Sequence, residues 1–193
     1  MDLAGGKGAS EPLSRGRVGM WSLIVAESAI FAIFVAAYIF FIGKDLSGPT
    51  PAQILTVPVI GTVCLLSSSA TMHWAVIGLK QGNLALFKLL WFATLALGAI
   101  FLLGTGREWH HFIYDEGFTI HTNLFGTTFY SLVGLHASHV FVGLIALFSV
   151  MVFALLGKVK TEHAERCEVL SMYWHFVDVV WVVVFTVVYG LGR

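Results

Sequence analysis

Among the ionisable side chains inside long apolar runs, five are where this sequence could do chemistry: Glu27, His136, His139, His175 and Asp178. A charge at the centre of a membrane helix costs roughly 2.5–3.5 kcal/mol on insertion scales, so such groups face protein, pair with one another, or serve function. His136 and His139 are three residues apart and share a helix face, and His175 and Asp178 repeat that spacing. Trp174, Asp178 and Trp181, at i, i+4 and i+7, form a neighbouring stripe. Each group admits two readings. His136 and His139 are interhelical hydrogen-bond glue, or else ligands or a proton relay; His175 with Asp178 divides the same way. Glu27 is expected to face protein, protonated or hydrogen-bonded, because an intramembrane carboxylate is functional by default. All five together could share protons across a bundle, or converge as ligands of an intramembrane metal. The run Glu108-Trp109-His110-His111 looks like a metal cluster, but adjacent helical residues point apart, which favours an anchor or a partner contact.

The elements that must position these groups follow from composition. The chain has 193 residues, 58% hydrophobic and 11% charged. A soluble domain carries about 25% charged residues, so this chain has too few to cover a water-facing surface. Its balanced charge, Lys+Arg 11 against Asp+Glu 11, offers no footprint for nucleic acid. Two cysteines, Cys64 and Cys167, make neither a disulfide framework nor a zinc site. No P-loop, GxSxG or HExxH motif is present, and no catalytic residue is assigned.

A bilayer core about 30 Å thick takes about 20 apolar residues per helix. Five stretches qualify: residues 18–42, 56–79, 84–103, 123–156 and 169–191. The expected fold is therefore all-α, an integral membrane bundle of five helices in one domain. Residues 1–17 are expected to be a solvent-exposed tail. The valine-rich last stretch would suit a strand in water, but a lone strand in lipid leaves its backbone unsatisfied, so helix wins. Glu27 falls about 13 Å below the start of the first stretch at 1.5 Å per residue. Gly126, Gly134 and Gly143 permit close helix approach, and Ser67, Ser68, Ser69 and Thr71 offer small polar packing groups. Trp109, Tyr114 and Phe118 fit an interfacial belt. Eight of the eleven basic residues (Lys7, Arg15, Arg17, Lys80, Lys88, Lys158, Lys160, Arg166) fall on one side of the membrane, with Lys44, Arg107 and Arg193 on the other. The positive-inside rule then places the N-terminus in the cytoplasm and the C-terminus outside.

Several runs resemble subunit III of the haem-copper terminal oxidases. The last stretch carries Tyr173-Trp174-His175-Phe176-Val177-Asp178-Val179-Val180-Trp181, similar to that family's most distinctive run. The fourth carries Gly126-Thr127-Thr128-Phe129, Gly134-Leu135-His136, His139-Val140 and Gly143 in family order. Ala26-Glu27-Ser28, with Phe31, Phe34 and Tyr38, is similar to the helix bearing the family's carbodiimide-reactive carboxyl; Glu108 and Glu168 also match. The chain resembles the short five-helix bacterial form, which starts at what looks like the third span of seven-helix members. One wall of the family's lipid cleft is missing from that form. Gly61 stands where the family often places asparagine.

The resemblance implies a subunit without redox centres, packed against oxidase subunit I and accompanied by subunit II. Haem and copper belong to the catalytic partner, and phospholipid is bound. The complex would sit in a bacterial inner membrane and reduce dioxygen with electrons from cytochrome c or quinol. Glu27, His136, His139, His175 and Asp178 would form a buried polar core serving proton uptake. Glu108, Glu168, Trp174 and Trp181 would be structural, lipid or partner contacts. Two other readings remain: an intramembrane metalloprotein with those five ligands, and a relative associated with nitric oxide reduction.

Overall fold

The computed structural model describes residues 14–44, 55 and 57–191, all helix or short connection, with no strand among them. Five helices are long and apolar enough to cross a membrane. They are α1 (Arg15–Phe41), α2 (Val59–Lys80), α3 (Leu84–Tyr114), α4 (Leu124–Leu155) and α5 (Ala164–Phe185). A 3-10 turn over Thr161–His163 leads into α5, and a π-helical turn over Thr186–Leu191 extends it. The chain is a multi-pass membrane protein.

The helices outrun the apolar stretches that announce them. α1 starts at Arg15, where the Ser14 hydroxyl accepts from Arg17 N, so Arg15 and Arg17 belong to the helix and not to the expected tail. The rest of that tail, residues 1–13, lies outside the described residues, as do Pro49, Pro51 and Arg193. α3 continues eleven residues past Leu103 to Tyr114. Hydropathy falls at Arg107 and Glu108, but packing continues: Trp109 meets the Tyr130 ring at 5.1 Å, and Phe112 is 1% exposed.

Local chemistry sets the turns. Just past Lys80, α2 is closed by Gly82, whose φ of 78° favours glycine, with Asn83 N donating to Gly78 O and Gly82 N to Leu79 O. The Asn83 side chain then caps α3 by accepting from Leu86 N. Gly157 closes α4 in the same pattern, with Lys158 N donating to Phe153 O. The α3–α4 connection folds back into the bundle instead of skirting it. Phe118 is fully buried and stacks on Phe125 at 5.1 Å, and the Tyr130 hydroxyl donates to Phe118 O. Phe118 is therefore core, not interfacial belt; of the three residues expected there, only Tyr114 is exposed.

α5 is the hub. Half of its apolar window is buried, against 11% for α1, which leans on α4 and α5 alone among its main contacts. Helices with no water-driven attraction associate through close packing and hydrogen bonds, and tryptophans supply both here. Trp174 Nε1 donates to Ser68 Oγ and Trp181 Nε1 to Thr62 Oγ1, tying α5 to α2. Trp91 Nε1 donates to Leu147 O, tying α3 to α4. A Cβ on Gly98 or Gly143 would stand 2.8 to 2.9 Å from the Trp174 ring, so the two glycines form its cradle.

Candidate functional site

α1 presents Glu27 to the bundle through the side chain of His139 on α4, whose Nε2 lies 3.1 Å from Glu27 Oε2. The other ring nitrogen, Nδ1, is 2.8 Å from Leu135 O. A carbonyl only accepts, so Nδ1 bears hydrogen, and Nε2 faces the carboxyl either bare or protonated. A hydrogen bond across that gap then requires one proton, held by Glu27 as an acid or by His139 as an imidazolium. The pair spans α1 and α4. It is half-open: 23% of the Glu27 side chain and 15% of that of His139 are exposed. Phe31 covers the imidazole at 5.0 Å, and the Tyr173 hydroxyl from α5 donates to His139 O.

His136, three residues earlier, does something different. Its ring stacks on Trp181 at 5.0 Å and meets the edge of Phe101 at 5.8 Å, and neither nitrogen has a hydrogen-bond partner. It is fully buried. The hydrogen-bond glue expected of both histidines is thus found at His139 and not at His136, which is held by rings.

On α5, His175 Nδ1 meets Ser69 Oγ of α2 at 2.6 Å. The same serine lies beside Asp178, yet neither carboxyl oxygen of Asp178 has a hydrogen bond of good geometry. Asp178 is 3% exposed. Thr71 and Thr94 complete the polar seam with a 2.8 Å contact between α2 and α3.

The five expected polar residues therefore divide into separate settings: a pair at Glu27–His139, a ring clamp at His136, and a serine-linked His175 beside Asp178. They do not converge as a ligand shell. Among the described residues no group of three or more His, Cys, Asp or Glu could hold a metal ion. His111, from the run that resembles a cluster, pairs instead with Asp115 at 2.6 Å.

Of the four residues expected as structural, lipid or partner contacts, Trp174 and Trp181 are 0% and 1% exposed. They are packing anchors inside the bundle. Glu108 is half-buried near the C-terminal end of α3, with Tyr189 close by. Glu168 gathers Arg17 of α1 at 3.0 Å and Lys80 of α2 at 2.9 Å, clasping three helices at one end of the bundle. Sequence reasoning counted both cations only as orientation signals. The cue for the clasp was an acid early in α5 beside the first apolar residues, on the side where the basic residues gather.

Comparison with known proteins agrees with this architecture. The family model described as Cytochrome c oxidase subunit III matches residues 10–193. Cytochrome c oxidase subunit 3 of Alkalihalophilus pseudofirmus is 35% identical over 91% of this chain and 86% of its own. The Synechocystis protein of the same name is 38% identical over 90% of this chain and 74% of its own. Cytochrome bo(3) ubiquinol oxidase subunit 3 of Pseudomonas aeruginosa is 33% identical over 90% and 84%. A match running from before α1 to the end of α5, over a bundle with this tryptophan-and-glycine packing, leaves one assignment: the chain belongs to the cytochrome c oxidase subunit III family.

Proposed function

We propose that this chain is the non-catalytic third subunit of a proton-pumping respiratory terminal oxidase. That complex reduces dioxygen to water with electrons from cytochrome c or quinol. The observation that carries the reading is the family match over residues 10–193, which takes in all five helices. In this reading haem and copper reside in the catalytic subunit I, which packs directly on this bundle, with subunit II accompanying it. The N-terminus faces the cytoplasm of a bacterial inner membrane, and phospholipid binds the membrane face.

Within that complex Glu27 and His139 hold the transferable proton. The pair is reachable, and exchanging one proton within it changes no net charge. Once a proton leaves the pair a carboxylate remains until another proton replaces it, so delivery and replacement must be coupled. His136 and Asp178 are sealed, and their part is to shape the bundle. Glu108 and Glu168 act at its two ends, Glu168 by holding α1 and α2 to α5.

Affinity purification of the tagged chain from native membranes tests the assignment. The expected preparation contains haem-bearing chains, and its visible spectrum departs with them when the subunits are separated. A chain that purifies alone and keeps a stoichiometric haem or metal overturns it.

A further inference from the structure

Two imidazoles stand at membrane depth along the outer side of the α2–α5 seam. Lys80 and Glu168 form an ion pair at the charged end of the bundle. His73 lies seven residues deeper on α2, and His175 seven residues deeper on α5. Seven residues are two turns and about 10 Å, so both rings share one level inside a leaflet about 15 Å deep. They are neighbours across the seam, and His175 Nδ1 already meets Ser69. His73 is exposed, and no hydrogen bond among the described residues reaches either of its nitrogens or His175 Nε2.

Ser67 is exposed on the same helix and behaves unlike the other outward hydroxyls. Ser28, Ser138 and Ser149 each donate to a carbonyl of their own helix, at Ile24, Leu135 and Ile145. That back-bond satisfies a hydroxyl in lipid without a neighbour. Ser67 makes no such bond among the described residues. Ala70, also exposed, is three residues from both Ser67 and His73, so it stands midway between them on the helix surface and lets another backbone come close. Hydrocarbon tails neither donate nor accept, so lipid leaves an imidazole and a hydroxyl at this depth unsatisfied. A helix carrying side-chain oxygens satisfies both.

We infer that the outward face of α2, from Ser67 to His73 with His175 at its margin, docks a transmembrane helix of a neighbouring oxidase subunit, and that this helix presents a carboxyl or carboxamide at the level of the two imidazoles. The docking face rests on the proposed function for the existence of that neighbour, and adds where and through what chemistry the two meet.

The test uses the intact complex. A photoreactive residue at position 70, activated in native membranes, should form an adduct with a transmembrane segment of another subunit. Mass spectrometry of that adduct should find an Asp, Glu, Asn or Gln within one turn of the attachment point. His73→Leu should speed loss of this subunit from the detergent-diluted complex about threefold, the weight of one interhelical hydrogen bond, and His73→Gln should restore the unmodified rate. Ala70→Phe should speed the loss at least tenfold. Adducts to lipid alone, to a second copy of this chain, or to a segment without such a side chain overturn the inference, as does unchanged retention in both His73→Leu and Ala70→Phe. A polypeptide adduct from a complex lacking haem-bearing chains counts against the oxidase assignment and leaves the docking face standing.

Discussion

The first and last helices each carry a membrane-depth acid, and they treat it in opposite ways. α5 is half buried in its apolar window and seals Asp178 to 3% exposure, with no hydrogen bond to its carboxyl oxygens. α1 is 11% buried in its window and leaves Glu27 partly open, bonded to His139. A helix at the centre of a bundle can hide an acid but gives it no route for a proton. A peripheral helix can keep its acid paired on one side and reachable on the other. On the proposed reading, α5 has scaffold duty and the edge where α1 meets α4 carries the proton chemistry.

The sharpest way to break this contrast is to damage the hub. Trp174→Ala removes a fully buried indole and strands Ser68, and should cost about 3–5 kcal/mol. Thermal unfolding of the purified complex, followed by the loss of this subunit, reads it out. Gly98→Ala, whose new Cβ would stand 2.8 Å from the Trp174 ring, should cost about 1–3 kcal/mol in the same assay. A Gly98→Ala complex as stable as the unmodified one would mean that the cradle gives way easily and that α5 is no rigid hub.

Milder changes sharpen the other side of the comparison. A double-mutant cycle on Glu27→Gln and His139→Ala should give a coupling of about 1 kcal/mol, typical of a polar contact between membrane helices. Assembly of the complex should survive Glu27→Ala, because α1 is also held by Arg17–Glu168. Smallest of all, Glu168→Gln should cost less than about 1 kcal/mol, and the loss should shrink as salt is raised, since the clasp is partly exposed.

Much of this was legible from residue types and spacing. Five apolar stretches gave five helices, and the i, i+4, i+7 stripe of Trp174, Asp178 and Trp181 is the buried face of α5. Gly143 and Ser68 were readable as close-packing positions, though not that both serve Trp174. What stayed hidden depends on tertiary contact. Hydropathy cannot see that α3 continues beyond Arg107, because packing around Trp109 and Phe112 extends it. Spacing put His136 and His139 on one face, but 60° of helical turn between them delivers one to Trp181 and the other to Glu27. Phe118 read as a belt residue because nothing local shows that its loop folds inward.

The division between the two acids is the central claim, and proton-uptake kinetics of the intact oxidase test it directly. With haem content and subunit composition unchanged, Glu27→Gln should slow uptake several-fold, while Asp178→Asn should leave it at the unmodified rate. Slowed uptake in Asp178→Asn with normal uptake in Glu27→Gln would contradict the account.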